Sequence, residues 1–165
     1  MKTKKFTYVL FGFYFLALAW IILFKGQLSL AGFGSHRNVN LVPFQGSAIV
    51  NGKIDFDEII GNIFVFLPFG IFMGALFPNN PFYKKILPFF LTSLAFEILQ
   101  FVFAIGATDI TDLITNTSGG LIGLGIYFLL EKIFKEHTLA VINWISLICA
   151  VVLFGLISIV LISNF

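Results

Sequence analysis

The chain has 165 residues, 59% of them hydrophobic and 11% charged, with a formal net charge of +2 and a mean hydropathy of +1.02. That length holds one compact domain spanning residues 1–165, and so little charge excludes a soluble surface; the expected class is an all-α, polytopic transmembrane helix bundle. A charge of +2 is too small to suggest nucleic acid as a partner, and a lone cysteine, Cys149, excludes a disulfide framework or a cysteine metal site within the chain.

A spanning helix needs about 20 mainly apolar residues. Five stretches qualify: residues 6–24, 59–77, 86–105, 113–130 and 139–162. The 23 phenylalanines are spread through all five, which suits lipid contact and inter-helix packing rather than an aromatic binding cage. A cytoplasmic N-terminus places Lys2, Lys4, Lys5, Lys84, Lys85, Lys132 and Lys135 inside and only Lys25, Arg37 and Lys53 outside, so the positive-inside rule predicts that orientation. An odd number of spans then leaves the C-terminus outside.

The first span could be a secretory signal, since Ala17 and Ala19 form a small-x-small pattern after the N-terminal lysines. Its apolar run continues to Phe24, longer than a signal core, and an uncleaved helix is expected. Residues 25–58 form one long outer connection that mixes polar residues with apolar pieces such as LSLAGF and NLVPF. Irregular backbone survives at membrane depth only where protein or water satisfies it, so this segment is read as a loop in the interface or over the bundle mouth. Asp55 is a candidate cap for the second span, with Asp57 and Glu58 beside the positive end of its dipole.

Pro68 in the second span removes an amide donor from the carbonyl of Phe64 and predicts a bend there. Gly70 and Gly74 predict a close helix contact, as do Gly119, Gly120, Gly123 and Gly125 in the fourth span. Glu97 and Gln100 are three apart on the third span; Asp112 and Asn116 are four apart on the fourth; each pair shares a face. A short turn near residues 106–111 makes these two spans antiparallel neighbours. With Asn62, these side chains come from three helices and fall at one depth in the outer half of the bilayer. One shared pocket opening outward is the expected arrangement, because a charged group at a helix centre costs roughly 2.5 to 3.5 kcal/mol unless hydrogen bonds offset it.

Four stretches together resemble the VanZ-like family of bacterial membrane proteins: RNVNLVPF at 37–44, GNIFVFLPFG at 61–70, SLAFEILQ at 93–100 and DITDLITNTSGGLIG at 109–123. The likeness covers about residues 36–125, with 36–130 as the core and the spans at 6–24 and 139–162 as additions. It implies a multi-pass protein of the bacterial plasma membrane connected with low-level resistance to glycopeptide antibiotics such as teicoplanin. It marks Asn62, Pro68, Gly70, Glu97, Gln100, Asp109, Asp112, Asn116 and Gly119. Many relatives carry an arginine shortly before the first aspartate, where this chain has Gly106, Ala107 and Thr108; Arg37, His36 or Lys53 is the candidate replacement.

Each candidate has two readings. Asp109 and Asp112 could hold a divalent cation, with Glu97 or Asn116 as further oxygen ligands, but no metal is expected; the favoured reading is that Asp109 caps the fourth helix and Asp112 lies in its first turn. Glu97 is a candidate acid, base or proton carrier, or else a structural hub bonded to Gln100 and Asn116. Asn62, Gln100 and Asn116 alone read as interhelical glue. No cofactor is expected, and HExxH, GxSxG and Walker patterns are absent from the sequence. Two functions are therefore carried forward. The first is an accessory protein that lowers glycopeptide or lipoglycopeptide susceptibility by acting at the outer leaflet or on a lipid-linked cell-wall precursor, the antibiotic being an indirect partner. The second is an enzyme acting on a lipid-linked or lipid head-group substrate, with Glu97 as acid or base, Asp109, Asp112 and Asn116 holding a cation or hydroxyls, and Asn62, Gln100 and Arg37 among the substrate-binding residues. A small transporter is a weaker third reading, since there is one deep ionisable residue and no inverted repeat.

Overall fold

A computed structural model describes residues 3–24, 36–44, 49–50, 53–54 and 56–163. Among these, helices α1 (Lys4–Phe24), α2 (Phe56–Leu76), α3 (Phe82–Phe103), α4 (Ile110–Phe134) and α5 (Thr138–Ser163) follow the apolar runs. Their ends are set by local chemistry. Pro81, at φ −61° and ψ 154°, precedes α3 because a proline fixes its own φ and cannot extend the preceding turn. Ala104 closes α3 in the left-handed region (φ 51°), its N–H returning to the carbonyls of Gln100 and Phe101. Lys135, at φ 48°, ends α4 and opens a single 3-10 turn, Lys135–His137, that leads into α5.

Among the described residues four stretches are long and apolar enough to cross a membrane: Lys4–Leu23, Phe56–Leu76, Phe82–Phe103 and Ile110–Gly155. The last, 46 residues long, contains all of α4 and most of α5, and α5 packs against α1 as well as α4.

The fold is not wholly helical. Strand β1 (His36–Asn40) pairs in parallel with β4 (Ile105–Asp109), in the register His36 to Ile105 and Asn40 to Asp109. Strands β2 (Ile49–Val50) and β3 (Lys53–Ile54) form a short antiparallel pair. The connection between α3 and α4, expected as a plain turn, is therefore mostly the strand β4. A strand placed there gives the backbone polar groups of the short connection a partner strand.

The α2–α4 contact is the closest in the bundle. A Cβ at Gly70 would overlap the backbone of Gly120 and Leu124; one at Gly119 would meet the Ile63 carbonyl, and one at Gly123 that of Leu67. Only hydrogen side chains let the two backbones approach so closely. Gly74 admits the Tyr127 ring. Gly125 departs from the expectation, because its Cβ would meet open space.

On the other side of α2, Leu18 and Ile22 of α1, Phe66, Phe69, Met73 and Leu76 of α2, and Phe89 and Phe96 of α3 form one buried cluster. The Phe69 ring lies 5.4 Å from Phe11 and 6.0 Å from both Phe15 and Phe89, in tilted or edge arrangements that favour aromatic pairs. The aromatic residues thus divide between packing of this kind and exposure on the outside, as at Phe13, Phe64 and Phe154. Helix α2 runs without interruption through Pro68, and the Tyr14 hydroxyl donates to the carbonyl of Val65 at 2.7 Å. At the C-terminal end of α2 two lysines satisfy open carbonyls: Lys4 Nζ donates to Leu76 at 3.2 Å and Lys85 Nζ to Pro78 at 2.7 Å. Lys85 is buried, with its ammonium 5.2 Å from the Phe128 ring centroid.

Candidate functional site

The N-terminus of α4 is the meeting point of the polar residues. Asp109 holds extended dihedrals (φ −128°, ψ 125°) and its Oδ1 accepts the Thr111 N–H at 2.7 Å, satisfying a donor that the first helical turn leaves open. Its Oδ2 accepts from Asn40 Nδ2 at 3.0 Å, and its own N–H donates to Glu97 Oε2 at 2.8 Å. Thr108, the preceding residue, donates its hydroxyl to the Glu97 carbonyl at 3.2 Å. One aspartate therefore ties together α3, α4 and β1.

Around this centre the other side chains pair across helices. Asp112, in the first turn of α4, accepts from Asn62 Nδ2 of α2 at 2.8 Å. Asn116, one turn further on, donates to the Ser93 hydroxyl of α3 at 3.0 Å. Residues that share one face of α4 thus serve two different neighbours, because that face is wedged between α2 and α3. Glu97 is 4% exposed, Asp109 1%, Asn116 0% and Asp112 9%, so the group is a packed polar core at one end of the bundle.

Gln100 leaves the group. Its Nε2 donates to the Ile22 carbonyl of α1 at 3.0 Å, so it positions α1 against α3. The hub joining Glu97 to Gln100 and Asn116 does not form in that shape: Gln100 bonds α1, Asn116 bonds Ser93, and Glu97 bonds the Asp109 backbone. Asp55, the expected cap of α2, lies outside the described residues, whereas Asp57 and Glu58 occupy its first turn as expected. Arg37 is described by its backbone alone, which sits opposite Gly106 in the β1–β4 register.

Three members of the site carried no role in the sequence reading. Ser93 lies four residues before Glu97 on α3, so helical spacing alone places it on the same face. Asn40 and Thr111 sit inside the stretches RNVNLVPF and DITDLITNTSGGLIG, but their partners lie across the chain and leave no local trace. Apart from the site, Asn143, fully buried in α5, is a polar residue in an apolar run.

The chemistry this geometry supports follows from its donor set. Among the described residues no three His, Cys, Asp or Glu side chains converge on a point where an ion could sit. The Asp109 carboxylate is engaged as a helix cap and strand partner.

A helical membrane protein with a buried carboxylate and amide cluster at one end of its bundle is the class these observations define. The chain belongs to the VanZ/LLP1 family, whose model matches residues 11–131. It is 41% identical over 147 residues to Protein VanZ of Enterococcus faecium, covering 87% of this chain and 88% of that protein. No solved structure matches it.

Proposed function

We propose that this chain is a five-span protein of the bacterial plasma membrane that lowers susceptibility to glycopeptide and lipoglycopeptide antibiotics such as teicoplanin. It acts at the outer leaflet or on a lipid-linked cell-wall precursor there. The observation that carries this reading is the 41% identity to Protein VanZ over nearly the whole of both chains. Five spans follow if α4 and α5 cross separately, a reading supported by the return of α5 against α1. The N-terminus is then cytoplasmic, in keeping with Lys4, Lys84, Lys85, Lys132 and Lys135 at one end of the bundle, and the C-terminus lies outside.

In this orientation the Asn62, Glu97, Asp109, Asp112 and Asn116 cluster faces outward beneath β1. It is the working part of the protein, and the β1 segment is what covers it. The test is expression in a Gram-positive host: teicoplanin susceptibility falls with the wild-type chain, and Asp109→Ala abolishes the effect at equal membrane abundance. Unchanged susceptibility to every envelope antibiotic with the wild-type chain present refutes the reading.

A second reading has one observation in its favour, the gathering of Glu97, Asp109 and Asp112 around one helix terminus. It makes the protein an enzyme on a lipid head group, with Glu97 as acid or base. Comparing membrane lipids and lipid-linked precursors with and without the chain separates the two, and full activity in a folded Glu97→Gln variant rules out the catalytic role.

A further inference from the structure

Residues 41–44 (LVPF) make a short turn just after β1 whose apolar side chains point away from the protein: Leu41 is 73% exposed, Val42 51% and Phe44 44%. This is an unusual surface for a segment held so firmly. At one end the Val42 N–H donates to Asn40 Oδ1 at 3.1 Å, while the same asparagine donates to Asp109. At the other, the Phe44 N–H donates to Thr111 Oγ1 at 3.0 Å, and Phe44 takes a left-handed φ of 58°, which a bulky aromatic residue rarely adopts. Both anchors lie at the N-terminus of α4, so the turn is fixed to the bundle rim with its greasy side chains turned outward.

What lies next to it identifies the occupant. Ile114 and Ser118, on the α4 stripe that starts at Thr111, line a shallow and mainly apolar groove of about 260 Å³ together with Phe90, Leu113 and Thr117. Ile98, Phe101, Val102 and Phe103 at the same end of α3 are exposed as well. The turn therefore borders a mainly apolar outer surface of α3 and α4, on which the Thr117 and Ser118 hydroxyls are bonded back to the carbonyls of Leu113 and Ile114.

We propose that the 41–44 turn is a membrane-interface anchor: Leu41, Val42 and Phe44 enter the leaflet at the α4 N-terminal end, above the groove between α3 and α4, where an acyl chain of the same bilayer lies. An apolar, conformationally fixed turn flanked by satisfied backbone groups suits the boundary between head groups and acyl chains, which accepts irregular backbone whose polar groups are bonded to protein. The polar cluster then has a mechanical task, holding a lipid-contacting element at a set depth. This inference is independent of any antibiotic phenotype.

The experiment uses the full chain reconstituted in phosphatidylcholine and phosphatidylglycerol vesicles, with Cys149→Ser as background and a nitroxide on Leu41→Cys or, separately, on Val42→Cys. Collisions with membrane-soluble oxygen should exceed those with a water-soluble nickel chelate at both positions, with a depth just inside the head groups. A label at Tyr83, exposed in the first turn of α3 at the opposite end of the bundle, gives the reference for the other surface. Greater access to nickel than to oxygen at residues 41 and 42 overturns the proposal, because the turn then lies in water. Shielding from both reagents overturns it too, because protein then covers the turn. Should one labelled variant fail to fold, the other still gives a result.

Discussion

The carboxylate of Glu97, on α3, accepts the backbone N–H of Asp109, the residue that caps α4, at 2.8 Å. In a capping box that N–H is satisfied from within the same helix, by a glutamate or glutamine at the third helical position. Here the third position is Asp112, whose side chain bonds Asn62 of α2 instead. A neighbouring helix has taken over the reciprocal half of the box, and α3 is thereby fixed in depth against the start of α4.

Glu97→Ala leaves the buried Asp109 N–H without this acceptor, an arrangement that costs about 1–3 kcal/mol. Glu97→Gln keeps a carbonyl oxygen for the bond and loses less. Thermal unfolding in detergent should rank wild type above the glutamine variant and that above the alanine variant, and amide exchange at Asp109 should accelerate in the alanine variant. Equal stability of all three contradicts the bond.

Asp109 carries two described bonds through its carboxylate, so its substitutions separate them. Asp109→Asn retains a capping oxygen but not both acceptors; Asp109→Ala removes the cap and lowers stability by about 0.5–2 kcal/mol. The alanine change should also loosen β1, read as faster exchange or protease cutting near residues 36–44. Stability that follows the cap while β1 stays unaffected would show that Asn40 does not depend on Asp109.

The glycines of α4 give a contrast within one helix. Gly123→Ala drives a methyl into the Leu67 carbonyl of α2, and overpacking of this kind costs typically about 1–3 kcal/mol. Gly125→Ala meets open space and should stabilise the helix by up to about 1 kcal/mol through backbone entropy. Unfolding midpoints of the two variants should therefore move in opposite directions from wild type.

Asn62 and Asp112 join α2 to α4 by a single described side-chain bond. A double-mutant cycle with Asn62→Ala and Asp112→Ala should return a coupling near 0.6 kcal/mol, about the mean measured for hydrogen bonds inside a membrane bundle. A coupling indistinguishable from zero would show that the pair contributes nothing beyond its separate parts.

Much of the fold was legible in the sequence. Hydropathy located all five helices, and each begins before its apolar run because the first turn tolerates polar residues, as at Asp112 in α4 and at Asp57 and Glu58 in α2. The cap at Asp109 and the close contact at Gly70 also follow from local chemistry. What was not legible depends on partners far away in the chain. Helical spacing puts Asp112 and Asn116 on one face, but which neighbour each meets is decided by how that face is turned between α2 and α3. Likewise Gln100 looked like a companion of Glu97 and instead bonds α1, since the two side chains, three residues apart, diverge enough to reach different neighbours. The β1–β4 pair had no signature, because five-residue strands with mixed polar content resemble any loop.

The parallel pairing of β1 with β4 sets an order on biogenesis. Asn40 and Asp109 are 69 residues apart, and the whole of α2 and α3 separates the two strands. As the chain leaves the ribosome, β1 emerges early and, in the proposed orientation, crosses to the far side of the membrane, where it finds no mate until two further helices have been inserted and the nascent chain has passed Asp109. Closing this sheet is consequently a late act of assembly, and a stalled chain ending within α3 would carry an unmated strand, open to quality-control proteases.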